Sequence, residues 1–180
     1  MIFLVGFLVF IGILIYIGVS ERREQTKRME SGEDKKKIGE IVRKVVPESD
    51  NCTIVYATYT KYENNGYAKG YTMYYWYYAV GFTSERIYCV PLKFVDKDIF
   101  YDGYFYVDKS MVTRMKNLLC TDNISCTTEL FDNTGDVICH LEVEGKHYSG
   151  NISVKQETES AAFRALMIQW AREINGNGIG

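Results

Sequence analysis

The sequence predicts an α+β fold, mostly β. It consists of an antiparallel β-barrel of about seven strands between a short N-terminal helix and a capping C-terminal helix, all preceded by a transmembrane helix. Three observations predict it. The first twenty residues, MIFLVGFLVFIGILIYIGVS, carry no charged side chain. Two segments repeat apolar residues at helical spacing, before residue 47 and after residue 156. Between them lie short β-branched and aromatic runs separated by turn residues, the pattern of antiparallel hairpins.

The opening run is long enough for a spanning helix, which takes about 20 residues. A cleaved signal peptide is the alternative, but that needs a basic n-region and a small-residue cleavage site. The run instead gives way to SERREQTKRME. Arg22, Arg23, Lys27, Arg28, Lys35, Lys36 and Lys37 all follow it and none precedes it. By the positive-inside bias, the chain is expected in the cell membrane, single-pass, with its C-terminal domain cytoplasmic. The same seven cations are the candidates for contact with anionic lipid, diluted by Glu21, Glu24, Glu30, Glu33 and Asp34. The predicted organisation is a transmembrane helix over 1–20, a charged juxtamembrane spacer over 21–32, a folded domain over 33–176 and a flexible tail over 177–180. Ser31 and Gly32 are expected to form a hinge.

The next helix carries Ile38, Ile41, Val42, Val45 and Val46 at helical spacing, with Ser31 as a possible N-cap, and stops at Pro47. Strands are expected over 53–62, 71–82, 86–91, 99–101, 104–107, 112–116, 127–131 and 137–142, with some of them merging. The final helix presents Phe163, Leu166, Met167, Trp170, Ala171 and Ile174 as one stripe. Glu157 and Glu159 stand at its positive end, and Asn175 and Gly176 follow its end. Such a stripe reads as a lid on the β core, with a partner groove as the alternative.

The segment YTMYYWYYAVGF concentrates aromatic residues. Alternation assigns Thr72, Tyr74, Trp76, Tyr78, Val80 and Phe82 to the core and turns Met73, Tyr75, Tyr77, Ala79 and Gly81 outward. Outward tyrosines either support strand pairing or supply rigid contact area to a protein partner. Tyr75 and Tyr77 are therefore candidate partner-binding residues. Arg86, in the turn Thr-Ser-Glu-Arg, either pairs with an acid along the sheet or binds an anion, and is the third candidate partner-binding residue.

The segment AVGFTSERIYCVPL resembles the hairpin of bacterial pleckstrin-homology-like (PH-like) domains. IVRKVVPESDNCTIVYAT resembles the helix, proline turn and first strand that precede it, and SMVTRMKN and the Trp-bearing last helix fit the same family. The resemblance covers roughly residues 38–174. It implies a barrel fold that serves as a binding module. KYENNGYAKGYTM offers only Lys61 and Lys69 beside Glu63, so specific phosphoinositide recognition is not expected.

Composition narrows the function classes. A net charge of −2 gives no basic field for nucleic acid. Five cysteines lack the spacing of a disulfide framework or a zinc site. No phosphate loop or dinucleotide fingerprint is present, so neither metal nor cofactor is expected. Only His140 and His147 could serve as catalytic imidazoles. The expected role is protein–protein or membrane-surface binding without catalysis. A hydrolase using a thiol such as Cys139 with His140 or His147 is the alternative.

Overall fold

A computed structural model of the chain describes residues 2–65, 70–96, 98–120 and 125–176. The expected flexible tail lies outside them. Among these residues, three α-helices, α1 (Ile2–Ser31), α2 (Glu33–Val45) and α3 (Glu157–Ile174), accompany ten strands. The first five are β1 (Thr53–Asn64), β2 (Tyr71–Phe82), β3 (Arg86–Val95), β4 (Asp98–Tyr101) and β5 (Phe105–Asp108). The others are β6 (Arg114–Cys120), β7 (Ser125–Phe131), β8 (Val137–Val143), β9 (Lys146–Tyr148) and β10 (Ser153–Lys155). All eight expected strands are present, and β9 and β10 are additional.

The first residues give a helix, but not the transmembrane helix expected. Among the described residues, no helix is long and apolar enough to cross a membrane. The helix continues to Ser31, and its last turns carry Glu21, Arg22, Arg23, Glu24, Lys27, Arg28 and Glu30. A span requires about 20 consecutive apolar residues, whereas this charged third belongs in water.

Gly32 ends α1 because its φ of 68° is left-handed, a conformation that glycine adopts without a Cβ clash. The junction is braced rather than hinged. The Arg28 guanidinium lies 3.0 Å from the buried Asp34 carboxylate and donates to the Asn151 carbonyl at 3.1 Å. Asp34 also accepts the Ser153 N–H at 2.8 Å. α2 then runs to Val45, two residues short of Pro47, and buries Ile38, Ile41 and Val42.

The eight-stranded antiparallel sheet has the order β4-β3-β2-β1-β8-β7-β6, with β5 paired to β3, while β9 and β10 form a separate two-stranded ladder. Both faces of its middle are buried. On one face Val55, Val80, Ile87, Cys89, Leu130 and Leu141 pack with Phe163, Met167 and Trp170 of α3. On the other, Tyr56, Ala79, Tyr88 and Val90 pack with Ile38 and Val42 of α2 and Ile152 of the β9–β10 hairpin. α3 is thus the expected lid. Trp170 is fully enclosed, and its indole N–H donates to the Ser84 carbonyl at 2.7 Å.

The sheet curls but does not close, which corrects the expected barrel. Flat strands three positions apart would stand about 14 Å from one another, yet Cys89 Sγ on β3 approaches Cys139 Sγ on β8 to 3.9 Å. Closure fails at β6, whose edge is held by the final helix. The Asn175 side-chain amide accepts the Met115 N–H at 3.0 Å and donates to the Met115 carbonyl at 2.8 Å. A side chain thus replaces the strand that a barrel would need there.

A second side-chain amide repairs the middle of the sheet. β1 and β8 share one register pair, Thr58↔Glu142, and diverge toward Tyr56. Gln156, 1% exposed, fills the gap. Its Oε1 accepts the Tyr56 N–H at 2.7 Å, and its Nε2 donates to the carbonyls of Tyr56 and Glu144 at 2.8 and 2.9 Å.

Candidate interaction surface

β1 and β2 pair along their whole length, from Thr53↔Phe82 to Asn64↔Tyr71. β3 joins β2 only over Tyr77–Phe82. The distal half of the hairpin therefore leaves the sheet as a two-stranded arm. This changes the meaning of the aromatic run. The expected alternation of a buried and an open face holds nowhere along it: Ala79, Val80, Gly81 and Phe82 are all buried, because helices cover both faces there. Toward the tip, Tyr71, Met73, Tyr74, Tyr75 and Trp76 are 70%, 50%, 43%, 51% and 38% exposed. The division runs along the strand, not across it.

Of the two tyrosines singled out as partner-binding, Tyr75 is on the arm and exposed, with its hydroxyl 3.3 Å from Met73 Sδ. Tyr77 is half-buried opposite Leu92, the last point at which β3 pairs with β2, with its ring edge-on to Phe94 at 5.1 Å between centroids. Tyr74 and Trp76, assigned to the core from the sequence, belong instead to the exposed set. Tyr78 marks the change, because burial pushes its phenol pKa up to about 12.

Trp76 heads a stack that the sequence did not reveal. Its ring lies 4.9 Å from Tyr59, which lies 4.1 Å from the His140 imidazole. Tyr59 faces Trp76 in the ladder, so this contact could have been found from the hairpin register. His140 comes from β8, and no local pattern announces it. Its Nδ1 is 3.4 Å from Glu129, and its Nε2 is 4.0 Å from Glu142. Burial holds its pKa below the usual 6.5, against the pull of Glu129.

Arg86 stands apart from the arm. Its Nε and Nη2 donate to one oxygen of Asp108 at 3.2 and 2.9 Å, and its Nη1 donates to the Tyr88 hydroxyl at 3.2 Å. The guanidinium also covers the Tyr106 ring, 5.0 Å from its centroid. The Ser110 hydroxyl first, then Arg86, holds the Asp108 carboxyl below its ordinary range. The head group of Arg86 is occupied by the domain's own acids and rings.

The basic residues divide similarly. Arg28 braces the elbow, Lys35 pairs with Glu159 at 2.7 Å, Lys36 with Glu40 at 3.8 Å and Lys37 with Glu33 at 2.7 Å. Among the described residues, Arg22, Arg23 and Lys27 make no salt bridge, and all three are exposed on α1. Beside them, Phe7, Phe10 and the consecutive Ile13, Leu14, Ile15, Tyr16 and Ile17 are also exposed, so this part of α1 is apolar around its circumference.

The thiol and imidazole side chains are directed to different neighbours. Cys139 meets Cys89, while His140 lies between Glu129 and Glu142. His147 Nδ1 is 3.1 Å from Glu144, and its ring packs on Tyr56 at 4.9 Å. The contact with Cys139 and burial raise the Cys89 thiol well above its usual value, opposite to what an attacking thiolate requires. Among the described residues, no group of three metal-ligating side chains is found.

No family model, curated protein or solved structure matches the chain, and nothing in these comparisons identifies a PH-like domain.

Proposed function

We propose that the chain is a non-catalytic binding module whose β1–β2 arm takes a protein partner, while α1 holds the domain against a lipid surface. The observation that carries the reading is the exposure of Tyr71, Tyr74, Tyr75 and Trp76 on a hairpin segment that neither core covers. Tyrosine and tryptophan supply large contact area at low entropic cost, and as interface anchors they each contribute about 2 kcal/mol or more. For α1, the exposed Phe7, Phe10, Leu14 and Tyr16 offer apolar area of the kind that a surface-bound helix buries at the head-group boundary. Arg22, Arg23 and Lys27 add attraction to anionic head groups of about 1 kcal/mol each.

The test replaces Tyr74 and Tyr75 together by Ser in the full chain. The thermal transition is expected to stay in place while the protein retained from its own cells is lost. A variant that keeps its retained partner removes the arm from consideration. For α1, flotation with vesicles containing phosphatidylserine is compared with neutral vesicles. Equal failure to float with both refutes the lipid contact.

A further inference from the structure

We infer that the open edge of β2, from Tyr71 to Tyr75, pairs antiparallel with the same edge of a second copy of this chain, about a two-fold axis at Met73. The inference rests on reading the arm as a binding surface and names what it binds.

The direction of the backbone groups comes first. Asn65 N–H donates to the Gly70 carbonyl across the hairpin, and Thr83 N–H donates to the Arg86 carbonyl at the start of β3. Tyr56 turns its N–H and carbonyl away from β2, toward Gln156. In an antiparallel ladder, hydrogen-bonded and non-bonded pairs alternate. These three contacts therefore set even-numbered residues of β2 against β1 and point odd-numbered ones the other way. At Tyr77, Ala79 and Gly81 the outward groups face β3. At Tyr71, Met73 and Tyr75 no strand among the described residues pairs with them.

This edge also lacks the usual protection. Natural edge strands are blunted by charge, proline or a covering element. β4 opens with Asp98, the outer edge of the arm on β1 carries Lys61 and Glu63, and β6 is fastened by Asn175. From Tyr71 to Tyr78 there is no charge and no proline. Such an edge is a ready template for pairing with another strand.

The partner follows from symmetry. Tyr71, Met73 and Tyr75 lie evenly about Met73, so a two-fold axis there sets Tyr71 against Tyr75 of the second copy, Met73 against Met73, and Tyr75 against Tyr71. Each pair exchanges two backbone hydrogen bonds, and all outward groups of the edge are satisfied at once. Charge does not oppose the approach, since Lys61 and Glu63 neutralise one another at 2.6 Å. The area available is that of a small interface. An aromatic side chain buries about 150–250 Å². At the exposures of Tyr62, Tyr71, Tyr74, Tyr75 and Trp76, each copy offers at most on the order of 500 Å², so the pair reaches the ~1,000 Å² lower bound of a specific interface, and the backbone ladder supplies the rest of the affinity.

Sedimentation equilibrium of the full chain in mild detergent, at tens of micromolar, is expected to give a dimer. Met73→Lys places like charges opposite one another and is expected to weaken dimerisation by at least about tenfold with an unchanged melting transition. Phe100→Lys, on exposed β4, is the control and is expected to leave it intact. The register is tested by Met73→Cys with oxidised glutathione as electron acceptor. Opposed hydrogen-bonded residues stand about 5.5 Å apart between Cα atoms, within disulfide reach, so this variant is expected to cross-link to itself beyond the wild-type background. Tyr71→Cys is not, because its two copies would stand about 14 Å apart.

A monomeric wild type overturns the inference, as does a dimer that survives Met73→Lys and does not cross-link through Met73→Cys. A monomer whose Tyr74 and Tyr75 replacements still cost it a retained protein leaves the arm as a binding surface and removes only the second copy. A monomer that loses nothing removes both.

Discussion

Replacing Gln156 by Met keeps the length and most of the volume of the side chain while deleting its amide. Three hydrogen bonds disappear, to the Tyr56 N–H, the Tyr56 carbonyl and the Glu144 carbonyl. The two Tyr56 groups are buried, and a buried polar group left without a partner costs about 1–3 kcal/mol. The Glu144 carbonyl is partly open and can turn to water, so its loss adds little. The expected destabilisation is about 3–5 kcal/mol, a large share of the ~5–15 kcal/mol of a typical domain. The assay is urea unfolding followed by tryptophan fluorescence, comparing Gln156→Met with Gln169→Met. Gln169 makes one exposed bond to Glu173, and its replacement is expected to stay within about 0.5 kcal/mol. A loss below about 1 kcal/mol for Gln156→Met, at unchanged slope, would show that water enters the seam and that the amide is not what joins the strands.

Trp170→Ala is expected to cost about 3–5 kcal/mol by cavity formation, and Trp170→Phe a smaller loss that comes mainly from the reduced ring volume, because Ser84 is exposed and its carbonyl can turn to water; equilibrium unfolding of both checks this order. Gly81→Ala is expected to destabilise by about 1–3 kcal/mol, because its Cβ would stand 3.0 Å from Val42 Cγ1 and 3.2 Å from Cys52 Cβ, and Val42 is fully enclosed by α2 packing. For His140, the folded state favours the neutral ring, so its contribution is complete above the usual 6.5 and is lost as pH falls through the lowered folded value. Unfolding midpoints of wild type and His140→Gln between about pH 7 and 5.5 are expected to diverge, with the variant losing less. Glu142, raised by burial above 4.5, acts with the opposite sign and at lower pH.

Local rules carried much of the fold. The stripes on α2 and α3, the stop before Pro47 and the turns at Thr83–Arg86 and Asp132–Asp136 depend on neighbours within a few residues, and all of them hold in the structure. What escaped depends on contacts between distant segments. Tyr74 and Trp76 have the sequence signature of core residues and are exposed only because the pairing of β3 with β2 stops at Tyr77. Ala79 and Gly81 look outward by alternation and are buried because α2 covers that face. Openness of the sheet is decided by Asn175 at residue 115, a meeting across 60 positions. The His140 stack likewise needs a strand that lies 81 positions from Tyr59 in the chain (140 − 59).

The single register pair between β1 and β8 also divides the molecule kinetically. On one side, β1 to β5 pair with strands near in sequence; on the other, β6 to β8 do the same. Each meander closes only short loops and can form quickly, whereas joining them waits for Tyr56 to find a residue 100 positions away. One apolar core still spans both meanders, so the native domain unfolds as a unit, and it is the order of assembly that the seam sets: the hairpins on either side are expected to gain amide protection before the β1–β8 boundary does.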